Sequence, residues 1–259
     1  MQNEADIMVS GVSAGYDAEM VLKDIDLTIP HGQVTSILGP SGCGKSTLLK
    51  TFMGMLRPSS GTVSVLGKDV LKMEREELSK FLTRMGITFQ QGALFGSMTI
   101  ADNIAAPIRE HTDLSNARIR AIVRMKLGLV SLMDAEHRMP SELSGGMQKR
   151  AAIARSLALD PDILLFDEPS AGLDPVTCHE LDKLILSLNE SLGCTVVVVT
   201  HKISSAVRIS DRIVFLDEGH IIEDGSVADF LESSDSRVRD FAVSSGVSLE
   251  SVGGGSSER

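Results

Sequence analysis

Between Gly39 and Thr47 the chain reads GPSGCGKST, which fits the spacing G-x-x-x-x-G-K-[ST]. The chemistry of such a run is phosphate binding. Gly39, Gly42 and Gly44, with Pro40, Ser41 and Cys43 between them, let successive backbone N–H groups turn inward around phosphate oxygens. Lys45 is suited to reach the β- and γ-phosphates of a nucleoside triphosphate. Ser46, with Thr47 beside it, is suited to offer its hydroxyl to Mg2+. A helix that starts here adds its partial positive charge to the same anion site. A Gly-rich turn capping an ordinary core helix is the plainer alternative. The apolar run VTSIL before the motif and the helical pattern after it supply the context that phosphate binding needs.

Two further runs carry chemistry. ILLFDEP, from Ile163 to Pro169, ends an apolar strand pattern in two carboxylates. In open α/β sheets ligands bind at the carboxyl edge of the strands. Asp167 is therefore suited to hold a Mg2+-bound water, and Glu168 to polarise an attacking water as general base. Taken alone, a solvated Asp-Glu turn is an equal reading; downstream of a phosphate loop it is the weaker one. LSGGM, from Leu143 to Met147, stands ahead of a helical pattern. Ser144, Gly145 and Gly146 at a helix start make a second anion site for the same electrostatic reason.

The elements that must position these groups alternate. Strand patterns fall at Ile7–Val12, Ile25–Ile29, Val34–Leu38, Thr62–Leu66 and Gly86–Phe89, and later at Ile163–Phe166, Thr195–Thr200, Arg212–Leu216 and His220–Glu223. Helical patterns fall at Lys45–Leu56, Ile100–Glu110, Ala117–Leu129, Gly146–Leu159 and Thr177–Leu192. Such alternation predicts a mostly parallel α/β sheet, with a helical block set into it after Gln90. Of the 259 residues 42% are apolar, enough for a sizeable core. The three cysteines show no paired spacing, which favours a reducing compartment over a disulfide frame or metal site. The acidic start MQNEAD has no signal-peptide character, and no window reaches the length of a membrane span. A net charge of −10 argues against nucleic acid and against direct binding to anionic lipid, so membrane contact is expected only through partners. The basic cluster Lys149, Arg150 and Arg155 reads as a solvated face or as local salt bridges.

The phosphate loop, LSGGM and the Asp-Glu pair, in this order, resemble the ABC ATPase family, over roughly residues 6 to 242. The resemblance implies an α/β P-loop NTPase (RecA-like) core with an antiparallel β subdomain and an inserted α-helical subdomain. Residues 1–89 and 160–225 would form the core and β subdomain, 90–159 the helical insert, and 226–259 C-terminal helices and a flexible tail. LSGGM is similar to the family signature, whose commoner fifth residue is Gln where this chain has Met147. Backbone amides and the Ser144 hydroxyl should carry the phosphate contact, so the departure is expected to be tolerated. Gln90 resembles the Q-loop residue that senses Mg2+; Gln91 beside it leaves the register open by one. AGLDP, Ala171 to Pro175, resembles the D-loop and would put Asp174 near a dimer seam. His201 resembles the switch histidine on the γ-phosphate, and Tyr16 the aromatic that stacks on adenine, although a core or surface role for Tyr16 stays open. The implied cofactors are ATP and Mg2+. Two subunits would pack head to tail, each signature closing the other's ATP site, so that hydrolysis separates the pair.

FQQGALF, APIREHT, MPSELSGGM and SRVRDF are similar to stretches of the ATPases of Mla-type and related MCE lipid transport systems. This implies an ATPase subunit on the cytoplasmic face of the inner membrane, working as a homodimer under polytopic permease subunits. An MCE-family protein would accompany it, with a small STAS-domain protein as a possible fourth component. The apolar stretch after Gln90 would receive a helix of the permease, or else serve ordinary packing of the insert. Asp235–Phe241 would begin a C-terminal contact with the neighbouring subunit. The rival readings are the ATPase of a small-solute importer and a non-transport ABC ATPase.

Overall fold

The computed structural model describes residues 5–17, 19–90 and 92–247. Contacts divide the chain into two compact units. One comprises the residues up to Ser79 together with those from Thr195 onward; the other is Lys80–Cys194.

In the first unit β1 (Ala5–Tyr16) and β2 (Glu19–Pro30) form a long antiparallel hairpin. With β4 (Ser60–Val65) and β5 (Lys68–Asp69) they make a four-stranded sheet in the order β2-β1-β4-β5. Along β2 the side chains of Leu22, Ile25, Leu27 and Ile29 are buried between more exposed neighbours, so one face is apolar. The other strands follow different logic. β3 (Val34–Leu38) lies parallel to both β8 (Thr195–Thr200) and β9 (Arg212–Asp217), and β10 (His220–Ser226) pairs antiparallel with β9. Every residue of β3 and β8 is buried, as expected of strands covered on both faces. Leu38 is level with Thr200 and with Phe215. The chain after β3 and the chain after β8 therefore leave the sheet at one edge, where α1 (Lys45–Phe52) and α7 (Ile203–Ile209) follow.

The C-terminal helices α8 (Val227–Leu231) and α9 (Ser236–Ser244) close this unit. Val238 and Ala242 are buried with Leu38, Phe215 and Phe230, and the Phe241 ring lies 5.2 Å from that of Phe215. The stretch read as the start of an intersubunit contact thus packs on the core of its own chain. Truncation at Asp235 would strip that core, whatever it did to a dimer. The remainder of the expected tail, from Ser248 to Arg259, lies outside the described residues.

In the second unit β6 (Met85–Thr88) pairs in parallel with β7 (Ile163–Asp167), with Thr88 level with Phe166. The helices are α3 (Ile100–His111), α4 (Asn116–Leu129), α5 (Gly145–Ser156) and α6 (Pro175–Leu192); α2 (Arg75–Leu82) spans the division between the units. Ile104 and Ile108 of α3, Ile119, Val123 and Leu127 of α4, and Ala151–Ala154 of α5 are buried. Among the described residues no helix is long and apolar enough to cross a membrane. Cys43, Cys178 and Cys194 are free thiols, all buried.

One charge inside the helical block has a measurable consequence. The Lys126 side chain is 1% exposed and its ammonium pairs with the carboxylate of Asp160, which is 74% exposed. Asp160→Asn keeps the shape but leaves a buried cation without its counter-charge. The loss should be below that of a fully buried pair because water reaches Asp160, and we expect about 1–3 kcal/mol. A lower urea midpoint with an unchanged slope would register it.

Candidate functional site

In the first unit β3 delivers the chain into the phosphate-loop motif. Gly39 is required by contact: a Cβ there would lie 2.0 Å from the Leu216 carbonyl oxygen of β9. Gly44 caps α1 without any side-chain hydrogen bond, and the first turn of α1 holds no acidic residue. The helix thus starts without a Ser or Asp cap, and an anion suits that place. Lys45, 8% exposed, folds back so that Nζ donates to the carbonyls of Gly39 and Pro40, both at 2.8 Å. The ammonium is held at the mouth of the loop by neutral acceptors that a phosphate oxygen would outcompete. Ser46 and Ser41 are exposed, whereas Thr47 is buried. Burial pushes the Cys43 thiol up, the Lys45 charge partly opposing, so it stays a protonated filler and not a reactive thiolate.

His201 is exposed and directly follows β8, at the sheet edge where the loop begins. Tyr16, at the end of β1, is 44% exposed and its hydroxyl lies 3.0 Å from Lys50 Nζ on α1. It is therefore a neighbour of the phosphate-loop helix and not a core residue.

The second unit gathers a different set. Since Thr88 is level with Phe166, Gln90 and Glu168 each stand two residues past the same rung, at one edge of the β6–β7 pair. Gln90 is exposed; Asp167 and Glu168 are partly exposed. Gln91, the alternative register, lies outside the described residues. Glu168 has φ 49°, a left-handed backbone shared with seven other described non-glycine residues. It marks the tight exit from β7, closed by Ala171 N–H donating to the Glu168 carbonyl at 3.1 Å.

The signature residues start α5. Ser144 is its N-cap and its Oγ accepts from the backbone N–H of Met147 at 3.3 Å. Because Met147 contributes a backbone group to the cap, Met147→Gln should change any nucleotide hydrolysis by less than tenfold; a steady-state rate comparison tests this. Gly146 again is required by contact, since a Cβ would lie 2.6 Å from Thr177 Cγ2. Thr177 is in turn held by Asp174, the N-cap of α6, which accepts from the N–H groups of Val176 and Thr177 at 3.0 Å and from the Thr177 hydroxyl at 2.5 Å. That hydroxyl and those amides hold the Asp174 carboxyl below its ordinary range. The structure gives Asp174 this capping role, and Thr177 emerges as the residue on which the signature turn rests. The Asp-Pro-x-Thr order is a helix-start signal from which both roles could have been found.

The basic cluster of α5 differs from its sequence reading. Lys149 Nζ donates to the Gln90 carbonyl, and Arg155 donates to the carbonyls of Ala93 at 2.7 Å and Gly92 at 3.2 Å. Arg150 reaches the Val130 carbonyl at 3.4 Å. Arg155 also lies 5.6 Å from the centre of the Phe95 ring. Lys149 and Arg155 thus satisfy carbonyls of a stretch whose described residues, between β6 and α3, form no helix or strand. The signature helix and the Gln90 loop are thereby tied together.

The sequence profile of the family described as ABC transporter matches residues 22–171. The "Probable ribonucleotide transport ATP-binding protein mkl" of Mycobacterium tuberculosis is 43% identical over 235 residues, covering 91% of this chain and 66% of that protein. The chain thus spans just under two thirds of the length of that relative. The "Intermembrane phospholipid transport system ATP-binding protein MlaF" of Haemophilus influenzae is 42% identical over 239 residues, covering 92% of this chain and 90% of that protein. Among solved structures, a dimeric ATP-binding cassette in a post-hydrolysis state bound to ADP and Pi superposes with a TM-score of 0.79 at 33% identity, covering 85% of this chain and 98% of that one.

Proposed function

This chain belongs to the ABC transporter family, and from that premise we propose that it is the ATP-hydrolysing subunit of a phospholipid transport system, acting as a homodimer beneath a membrane permease. The single observation that carries the ATPase reading is the Lys45 ammonium folded back onto the Gly39 and Pro40 carbonyls of the Gly39–Thr47 loop, at the start of a helix whose own first turn holds no acidic residue. Lys45 and the amides of the loop from Gly39 to Thr47 hold the phosphates. Tyr16 stacks on the base. On the family resemblance, Ser46, Gln90 and Asp167 would be the residues to hold Mg2+, in part through water. When bound, Mg2+ neutralises charge on the phosphate oxygens. Glu168 takes the proton of the attacking water, and His201 donates to the terminal phosphate. No covalent intermediate is required; positioning and charge suffice.

Ser144, Gly145 and Gly146 present a second anion-binding helix start in the same chain. In a head-to-tail pair each would close the partner's nucleotide site. The helical stretch 90–159 then serves as the insert that follows nucleotide state, with Lys149 and Arg155 fastening it to the Gln90 loop.

For the cargo, the match to the phospholipid system protein over nine tenths of its length is the supporting observation. The name of the mycobacterial relative favours a second reading, a small polar solute. Affinity purification from native membranes in mild detergent separates the two. A polytopic permease and an MCE-family protein retained with phospholipid, with or without a STAS-domain protein, is the expected result. Retention of a soluble solute-binding protein instead would overturn the lipid reading and leave the ATPase assignment standing.

A further inference from the structure

Tyr16 is more closely bound to the phosphate-loop helix than an open stacking platform needs to be. Thr47 and Lys50 stand three residues apart on α1, on one helical face. Lys50 Nζ is 3.0 Å from the Tyr16 hydroxyl oxygen and 5.3 Å from the ring centre. The hydroxyl itself stands out from the ring, so these two distances together put the ammonium outward of it and not above a ring face. The ring is thus gripped by its polar edge while remaining 44% exposed.

We propose that Lys50 is a positioning residue for the nucleobase end of the site: it anchors the Tyr16 ring by its hydroxyl edge and leaves a face open to a planar base. The inference rests on the reading of Tyr16 as the base-stacking residue. Its physical basis is preorganisation. A half-exposed aromatic at a strand end must be ordered before it can stack, and a ring already fixed spares the ligand that loss of freedom. Because Lys50 belongs to the motif helix, the phosphate end and the base end of the site share one rigid element. Lys50 lies in the last turn of α1, where a cation also favours the helix dipole, so a purely structural role is the competing account.

The sequence supplies a clean probe, since Tyr16 is its one tyrosine and it has no tryptophan. Phenolate absorbance of the full chain therefore reports on Tyr16 alone. The Lys50 hydrogen bond holds the Tyr16 phenol below its ordinary range. In Lys50→Met its titration should move up, and in Lys50→Arg it should stay low. Binding of ATP and of inorganic tripolyphosphate is measured alongside. Lys50→Met should weaken ATP about three- to tenfold while tripolyphosphate stays within about twofold. Tyr16→Phe, which keeps the ring and removes the hydroxyl, should do the same. The double variant should be no worse than either single one. Unchanged ATP affinity in Lys50→Met, equal losses for both ligands, additive effects, or a failure of Arg to substitute would each overturn the proposal. Tyr16→Ala tests the parent reading separately. If it binds ATP as the wild type does, base stacking on Tyr16 falls; if it loses ATP alone and Lys50→Met does not, only the anchoring role falls.

Discussion

Glu168→Gln is expected to lower ATP hydrolysis by about a hundred- to ten-thousandfold while ATP still binds. The substitution keeps side-chain length and hydrogen-bonding capacity but removes the only group among Gln90, Asp167 and Glu168 assigned to accept a proton. Nothing in the backbone should move, because the turn at Glu168 is closed by its own carbonyl and the Ala171 N–H. The left-handed φ of 49° is no harder for Gln than for Glu. Binding groups of the phosphate loop are untouched, so ATP should accumulate on the protein and hold it as a dimer. Phosphate release gives the rate, and gel filtration with ATP gives the oligomeric state. A near wild-type rate would remove Glu168 from the role of base and return attention to His201.

How much of this was legible beforehand depended on sequence separation. The phosphate loop lies within one short run, and its chemistry could be read before any fold was known. The placement of Gln90 and Glu168 at one strand edge could be anticipated because both follow apolar strand patterns, and ligands gather at strand ends. The grip of Lys149 and Arg155 on the loop after Gln90 could not. It joins residues 59 to 63 positions apart through backbone carbonyls, which carry no side-chain signature. Short elements were missed for a related reason. In α2 only Phe81 is buried, too little apolar periodicity to register, whereas α8, in which only Phe230 is buried, falls within the C-terminal helices that the resemblance implied. Conversely β1 and β2 run longer than their patterns suggested, because register shifts along the hairpin interrupt the period-two alternation. α1 ends at Phe52, four residues before its expected end, with Gly54 in the left-handed region directly after the Met53 cap. Asp174 has a role that the resemblance did not name, since its carboxylate caps α6, and that role leaves its expected place near a dimer seam untouched.

Lys45→Ala should abolish useful ATP binding without unfolding the protein, and the two halves of that statement have separate causes. In the structure the ammonium satisfies the carbonyls of Gly39 and Pro40. Removing it leaves the Gly39 carbonyl to find water, while the half-buried Pro40 carbonyl still accepts from the Cys43 N–H at 3.4 Å, so the cost to the empty protein should be no more than about 1–2 kcal/mol. Against a triphosphate the same ammonium makes charge-assisted bonds worth about 3 kcal/mol or more, roughly a hundredfold in affinity. The neutral carbonyls would then face the phosphates with no cation between them, which adds repulsion to the loss. Arg is no substitute, since a planar fork cannot replace a point charge between two carbonyls set for a tetrahedral donor. Thermal unfolding with and without ATP separates the effects. Wild type should gain about 3 kcal/mol of stability at a hundred times its dissociation constant. Lys45→Ala should start slightly lower and gain almost nothing. A variant that still gained the full increment would show that the loop amides at the start of α1 hold the nucleotide unaided. The anion site would then be a property of the helix end, with Lys45 only its internal brace.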